Sequence, residues 1–267
     1  MIVASVRPPA VAGQFYPARP EALASMVRGY LQESRGRGAL PAPPKALIAP
    51  HAGYIYSGPV AGSAYAALAA EQLAAIRRVV LVGPAHRVGF YGIAAPTSEA
   101  FETPLGAVPV DQEVVERVVR LPTVFRFDDP HESEHSLEVQ LPFLQCLLED
   151  FTVVPLLVGS ASGGEVSQAL ETVWGDKDTL VVVSSDLSHY LDYATAREVD
   201  TRTSEAIAAL RPEAIQPGQA CGHVPMQGLL LSARRHGLEA RVLDQRSSGD
   251  TAGPREPVVG YGAYAFH

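Results

Sequence analysis

The chain has 267 residues, of which 47% are hydrophobic and 19% charged, a composition typical of a folded globular protein rather than a disordered one. Its 29 acidic and 21 basic residues give a formal net charge of -8, which opposes binding to the phosphate backbone of nucleic acids. The longest apolar runs are far shorter than the ~18 residues of a membrane-spanning helix, and the first residues lack the pattern of a secretory signal. We therefore expect a cytoplasmic protein that binds neither nucleic acid nor membrane.

The first quarter of the chain predicts a helix, a connector and a β-turn-α unit. Residues 21–33 have helical character, and the Gly- and Pro-rich segment 34–44 is typical of a connector within one domain. Residues 45–50 form a short apolar run that indicates a buried strand. A Gly-rich turn and an Ala-rich helical stretch through residue 71 follow it.

Further along, apolar runs alternate with helical patterns. Strands covered on both faces are predicted at 77–83, 151–158 and 179–185. Helices are predicted at 112–120, 134–149, 164–174, 194–210 and 224–235. Segments 239–246 and 258–266 predict a closing antiparallel pair. The sequence thus predicts a single α/β domain over residues 1–267, with a mainly parallel or mixed central sheet flanked by helices.

Polar residues follow three of the predicted strands at the point where each strand ends. His51 comes directly after the run at 45–50, His86 follows the run at 77–83 by three residues, and Asp186 with His189 follows the run at 179–185. Open α/β sheets bind ligands beyond the carboxyl ends of their strands, so we expect these groups at one rim. An alternative for Asp186 is that it caps a helix start through its carboxylate.

The two cysteines have different surroundings, and a disulfide framework is not expected. Cys221 precedes a helix that starts near Pro225, and a helix N-terminus lowers a thiol pKa, which favours metal binding or nucleophilic chemistry. Cys146 lies among leucines in a predicted helix, where an inert core role is expected.

Segment 131–135 contains two histidines and two glutamates and has two interpretations. His131 and His135, one helical turn apart, could form a second metal site. We prefer a helix start in which Asp129 and Glu132 have capping-box spacing.

Six ordered blocks of the sequence resemble the MEMO family, whose prokaryotic members are named AmmeMemoRadiSam system protein B. The blocks are Val-Ala-Gly-Gln-Phe-Tyr-Pro (11–17), Ala-Pro-His-Ala-Gly-Tyr-Ile-Tyr-Ser-Gly (49–58), Gly-Pro-Ala-His (83–86), Glu-His-Ser-Leu-Glu-Val-Gln-Leu-Pro-Phe (134–143), Ser-Ser-Asp-Leu-Ser-His-Tyr (184–190) and Ala-Cys-Gly-His (220–223). The resemblance spans nearly the whole chain. It implies the fold of the class III non-haem iron extradiol dioxygenases, with the site in a cleft at one sheet edge.

The resemblance also implies a mononuclear metal site. Carried over by position, the ligands are His51, His86 and Cys221, and Asp186 and His189 match the pair beside the metal. In the related dioxygenases the third ligand is a carboxylate, so Cys221 departs from their pattern. The ligand set suits iron(II), copper or zinc, and the family likeness favours iron or copper.

The roles expected around the metal are these. His189 is the candidate general acid or base, and Asp186 orients it or accepts the ring proton of a ligand. The remaining residues expected around the metal or its substrate are Tyr54, Tyr56, Glu134, His135 and His223. For the two tyrosines, packing over the Gly-rich turn is the alternative to hydrogen bonding with a metal-bound ligand.

Three functions are compatible with this site. The first is a metal-dependent oxidoreductase acting on a small molecule or modified macromolecule. The second is a non-enzymatic adaptor that binds a peptide bearing an aromatic or phosphorylated side chain, and the third is a zinc hydrolase. The name of the prokaryotic relatives implies a functional link to a radical-SAM enzyme.

Overall fold

A computed structural model describes residues 5–35 and 40–267, so the expected connector at 34–44 lies partly outside the described residues. The strands are β1 (Val6–Arg7), β2 (Ala46–Ala49), β3 (Arg78–Pro84), β4 (Ile93–Ala95), β5 (Ala100–Thr103), β6 (Gly106–Pro109), β7 (Val124–Arg126), β8 (Thr152–Val158), β9 (Thr179–Ser184), β10 (His189–Leu191), β11 (Ala240–Ser247) and β12 (Val258–Phe266). The helices are α1 (Pro20–Ser34), α2 (Tyr54–Tyr65), α3 (Ala70–Ala75), α4 (Gln112–Val118), α5 (Asp129–Glu132), α6 (Leu141–Leu147), α7 (Gly163–Val173), α8 (Tyr193–Ala208) and α9 (His223–Arg235). Within the described ranges, no helix combines the length and apolar character needed to cross a bilayer.

The main sheet is mixed, as the sequence predicts. Its strands run in the order β10-β12-β2-β9-β3-β8-β4-β7, with β11 paired to β12. The central strands β2, β9, β3 and β8 are mutually parallel, whereas β4 is antiparallel to β8 and β12 is antiparallel to β2. A separate small sheet has the order β1-β5-β6. The expected α/β fold with a mixed central sheet flanked by helices is confirmed.

The four parallel strands form the buried centre of this sheet. Nearly every residue in them is buried, which matches the continuous apolar runs of the sequence. Because the strands are parallel, their carboxyl ends meet at one edge of the sheet. The loops after β2, β3 and β9 start at this edge, and they carry the predicted site residues.

The closing antiparallel pair also forms as predicted. Strand β11 pairs with β12 along most of its length. Strand β12 then continues the main sheet by pairing with β2, where Tyr264 lies opposite Ile48.

The predicted helix at 134–149 is wrong in its first half. Residues 134–137 are irregular, Glu138–Gln140 form a 3-10 turn, and the helix itself runs from Leu141 to Leu147. Pro142 stands at the start of α6, where its missing N–H costs no helical hydrogen bond. The Ala-rich stretch through residue 71 likewise forms two helices, α2 and α3, rather than one.

Helices α1 and α2 approach each other closely because two glycines of α2 face Tyr30 of α1. A Cβ atom added at Gly58 would lie 2.3 Å from the Tyr30 ring, and one at Gly62 would lie 2.7 Å from the Tyr30 carbonyl oxygen. The ring could move, but the backbone carbonyl could not without shifting the helix. The contact at Gly62 therefore sets the distance between these helices.

This contact predicts opposite effects for two glycine substitutions. Gly62→Ala should lower the free energy of unfolding by about 1–3 kcal/mol, because the new methyl group overpacks the interface. Gly29→Ala is the matched control in α1: a Cβ there meets nothing within 4 Å, and alanine should stabilise the helix by about 0.5–1 kcal/mol. Urea unfolding measures both values. Equal stability of the two variants would contradict the close approach.

Candidate metal centre

Three side chains from distant parts of the sequence meet at the carboxyl edge of the sheet. His51 lies two residues after β2, His86 two residues after β3, and Cys221 two residues before α9. One ligand atom from each lies within 4.8 Å of those of the other two. Nε2 of His51 is 3.2 Å from Sγ of Cys221, and the rings of His51 and His86 meet edge to face with centroids 5.2 Å apart. The structure therefore brings together the three residues that the family resemblance implies as ligands.

The tautomer of His51 follows from the hydrogen bonds of Ser184, the last residue of β9. The Ser184 hydroxyl donates its only proton to the carbonyl of Ser136. It must therefore accept the contact with Nδ1 of His51, which lies 2.9 Å away, so Nδ1 carries the ring proton. Burial lowers the pKa of His51 well below its usual value, and nearby His86 and His135 lower it further. His51 is thus neutral, and Nε2 presents a lone pair to Cys221.

Glu134 fixes the tautomer of His86 in the same way. Its Oε1 accepts from Nδ1 of His86 at 2.9 Å and from the backbone N–H groups of His135 and Ser136 at 2.8 and 2.9 Å. Its Oε2 accepts from the backbone N–H of His86. Oε1 also lies 3.1 Å from Nδ1 of His135. Burial alone would raise the pKa of the Glu134 carboxyl, but its contacts with the side chains of His135 and His86 and with the backbone N–H of His86 hold this pKa well below its usual range. A carboxylate therefore binds Nδ1–H, which leaves a lone pair on Nε2 of His86.

The Cys221 thiol does not have the lowered pKa that a helix N-terminus predicts. Burial is the largest cause and raises the pKa of Cys221 to about 12, and the charge of Asp186 adds to this rise. Hydrogen bonds to Ser185 and Gly222 act in the opposite direction without overcoming it. A thiolate at this position needs a compensating cation, and a metal ion bound to sulfur supplies one.

The donor set fits a single metal ion. Imidazole nitrogens and thiolate sulfur bind first-row metals at ~2.0–2.3 Å, so three ligand atoms on one ion must lie within ~4.6 Å of one another. The three ligand atoms here all lie within 4.8 Å of one another, which is close to this limit. Both ring nitrogens that face inward carry lone pairs. The chemistry of the side chains thus suits iron, copper or zinc without selecting one.

His135 lies against the site without being needed for the set of three. Its ring stacks on that of His86 with centroids 5.0 Å apart, meets that of His51 at 5.5 Å and packs under Phe15 at 4.7 Å. A second group of His86, Glu134 and His135 also has ligand atoms within 4.8 Å. Glu134 already accepts four hydrogen bonds from neighbouring N–H groups. We therefore interpret Glu134 as the residue that orients the His86 ring and not as a metal ligand.

The interpretation of His131 and His135 as a second metal site is wrong. Helix α5 ends at Glu132, so the two rings do not lie one helical turn apart. The His131 ring is 2% exposed, contacts the Ala94 carbonyl at 3.2 Å and has its pKa lowered to about 4 by burial. The predicted capping box is also wrong: α5 begins after Asp128, whose carboxylate binds Thr97 instead.

Asp186 and His189 both lie beside the site. Asp186 is 4% exposed, and its Oδ1 accepts the backbone N–H of His51 at 2.7 Å. The alternative role as a helix cap is wrong, because strand β10 and not a helix follows Asp186. Nδ1 of His189 lies 2.8 Å from the Leu187 carbonyl and must donate to it, which leaves Nε2 as the proton-accepting nitrogen. A proton gained by His189 would lower the pKa of both Asp186 and His51, so these three groups lie close to one another.

The remaining predicted residues, Tyr54, Tyr56 and His223, differ in their positions and contacts. Tyr54 is 2% exposed and its hydroxyl donates to the Val139 carbonyl at 2.6 Å, which matches the packing alternative. Tyr56 is only partly buried and lies near the buried Tyr261. His223 and Cys221 line a cavity of about 210 Å³ beside the site, together with Pro84, Phe90, Val158 and Ser160 among others.

Sequence reasoning missed the residues that orient the histidines. Ser184, Ser136 and Gln140 form one buried hydrogen-bonded group, in which Gln140 donates to Ser184 at 2.8 Å and to the Pro50 carbonyl at 3.0 Å. The available signal was the alternation of polar residues at 134, 136, 138 and 140. A spacing of two does not place residues on one face of a helix, so it argues against the helix predicted there.

The hydrogen bonds of Glu134 predict its effect on metal binding. Glu134→Gln replaces one acceptor oxygen by an NH2 group that must face an N–H donor, so His86 loses its orientation. We expect metal affinity to fall about 10- to 100-fold, as measured by competition with a chelator of known affinity. Glu102→Gln, at an exposed position, is the control. Unchanged affinity in Glu134→Gln would contradict the role of Glu134.

Replacing His135 and replacing His86 by alanine should have different effects on metal binding. His135→Ala should weaken metal binding because a packed neighbour of both ligand rings is lost, whereas His86→Ala should abolish binding at one equivalent of metal. Elemental analysis after dialysis against the same buffer measures both. Complete loss of metal from His135→Ala would instead identify His135 as a ligand.

Known proteins resemble this chain over almost its whole length. The model of the Memo-like protein family matches residues 7–265. A MEMO1 family protein of Ignicoccus hospitalis is 37% identical over 98% of both chains. One from Saccharolobus solfataricus is 36% identical over 97% of this chain and 99% of its own, and one from Saccharolobus islandicus is 34% identical over the same shares. The family has the extradiol dioxygenase-like fold, in agreement with the mixed sheet described above. The chain therefore belongs to the Memo-like protein family.

Proposed function

We propose that this protein is a mononuclear metal-dependent oxidoreductase whose iron(II) or copper ion is bound by His51, His86 and Cys221. The observation that carries the proposal is the convergence of two fixed imidazole lone pairs and one thiol within 4.8 Å. Structural zinc sites are usually closed by four protein ligands, whereas this set has three. A site with three protein ligands leaves a coordination position for a substrate or water.

The extradiol dioxygenase-like fold of the family supports iron or copper over zinc, since that fold is associated with redox metals. When bound, such an ion supplies one-electron chemistry at a potential that the Cys221 thiolate tunes. The thiolate stands where the related dioxygenases have a carboxylate, so ring cleavage is not part of this proposal. A zinc hydrolase and a peptide-binding adaptor are the competing functions.

The chain's own residues would bind the substrate and move its proton. His189 has a proton-accepting Nε2, because its Nδ1–H is held by the Leu187 carbonyl at 2.8 Å. It is the proposed general base towards a substrate hydroxyl or amine. Asp186 positions His51 through the backbone N–H and interacts electrostatically with His189. The proposed substrate is a small molecule or a peptide side chain, and a radical-SAM enzyme is the proposed functional partner.

The two cysteines of the chain provide the test. Wild type, Cys221→Ser and Cys146→Ser are purified without oxygen and compared by elemental analysis and electronic spectroscopy. We expect about one equivalent of iron or copper and a thiolate-to-metal charge-transfer band in wild type and in Cys146→Ser. Cys146 is half-buried in α6 and serves as the matched control.

In Cys221→Ser the band should disappear and the metal content should fall. A band that persists in Cys221→Ser would contradict ligation by sulfur. One equivalent of zinc in wild type from cells supplied with all three metals would favour the hydrolase. Equal ligand binding with and without metal would favour the adaptor.

A further inference from the structure

A cavity of about 210 Å³ lies between two of the segments that carry the candidate metal ligands. One wall comes from segment 84–90, at and after the end of β3, which contains His86. Another comes from segment 221–225, which begins with Cys221, and the end of β8 with residues 159–160 forms a third side. Cys221 itself lines the cavity, so a group bound there lies against the candidate metal centre.

The side chains that line the cavity are mostly apolar. Val88, Phe90 and Val224 are each only partly buried, and they present apolar surface to it. Among the described residues that line it there is no aspartate, glutamate, lysine or arginine. A charged group placed there would lose water without gaining a charged side-chain partner. The lining therefore favours a neutral apolar group.

The position of Phe90 keeps the cavity open. The N–H of Ser160 donates to the Phe90 carbonyl at 2.7 Å, and a Cβ atom added at Gly159 would lie 2.3 Å from the same oxygen. The Phe90 ring meets those of Phe125 and Phe127 edge to face, with centroid distances of 6.1 and 5.8 Å. These contacts hold both the backbone and the ring of Phe90, so the ring does not turn into the cavity and fill it.

The volume of the cavity limits the size of the group that it can hold. An apolar cavity of about 150 Å³ binds a benzene molecule. The 210 Å³ available here therefore admits one benzene-sized group with a short polar substituent. Two fused rings need more space than this.

The start of α9 also offers a hydrogen-bond partner to a ligand in the cavity. His223, the first residue of α9, lines the cavity together with Cys221. The imidazole of His223 makes no hydrogen bond with any described residue. Its ring nitrogens are therefore available to a polar group of the ligand.

We infer that this cavity, which we call the Phe90 cavity, is a substrate subsite for a neutral apolar group no larger than one benzene ring. The polar end of the substrate forms a hydrogen bond with His223 beside Cys221. The inference rests on the proposed function, because it assigns the apolar group to the substrate of the metal centre.

Three alcohols test the size and charge of the group that the Phe90 cavity accepts. They are benzyl alcohol, the larger 2-naphthalenemethanol and the anionic para-(hydroxymethyl)benzoate, and ligand-observed NMR titration with the purified protein gives a Kd for each. Binding to an open apolar surface would favour the naphthyl compound, because it has the larger apolar area. We expect benzyl alcohol instead to bind at least about three-fold more tightly than either of the others. Equal or tighter binding of either one would overturn the proposal.

Filling the cavity locates the binding. Val224→Phe enlarges a half-buried side chain that lines the cavity and should weaken benzyl alcohol binding at least about ten-fold. Val242→Phe is the matched control, because Val242 is a 38% exposed residue of β11 that does not line the cavity. Urea unfolding shows whether each variant is folded. Wild-type affinity in folded Val224→Phe would also overturn the proposal.

Enlarging the cavity gives a test that does not depend on the folding of Val224→Phe. Phe90→Ala removes a ring from the cavity wall and should raise the affinity for 2-naphthalenemethanol at least about three-fold, because space for the second ring is then available. An unchanged or lower affinity for this compound would contradict the subsite.

Metal content measured on the same samples distinguishes this inference from the proposed function. Bound iron or copper together with benzyl alcohol binding that Val224→Phe does not change contradicts the subsite alone. Absence of iron and copper together with binding that Val224→Phe removes supports the subsite and contradicts the proposed oxidoreductase.

Discussion

The candidate site depends on the single proton of the Ser184 hydroxyl. This proton goes to the Ser136 carbonyl, so the hydroxyl can only accept from His51 and from Gln140. One group at the end of β9 thus fixes the His51 ring, the segment that carries Glu134 and the loop after β2. Because all these atoms are buried, leaving one of these polar groups without a hydrogen bond would lower the stability of the fold. Few other arrangements of the hydrogen bonds are therefore available. The inward lone pair of His51 follows from this constraint.

A second buried group joins the N-terminal segment to the same region. Glu138 is completely buried and accepts from the backbone N–H groups of Ala10 and Val11 at 2.7 and 3.0 Å, from Tyr16, and from Arg7 through an ion pair. A buried carboxylate is tolerated only when it is paired in this way. The pairing brings Phe15 onto His135, so residues from the start of the chain complete the outer wall of the site.

These contacts give the site a definite charge state before any cation binds. His51 is neutral because burial lowers its pKa, and Cys221 keeps its proton because burial raises the pKa of the thiol. Burial thus disfavours a charged imidazole or thiolate that has no partner. It favours binding of a metal cation that replaces the thiol proton of Cys221.

The sequence alone determined the buried strands, the closing antiparallel pair and the gathering of His51, His86 and Asp186 at one edge, because continuous apolar runs and strand-end positions are local patterns. It could not determine the conformation of residues 134–140, since their polar side chains bind Arg7, His86 and Ser184, which are distant in sequence. Nor could it give the pKa of Cys221, where burial outweighs the helix N-terminus. Burial and the pairing of polar groups depend on which segments pack together, and only the tertiary structure decides that.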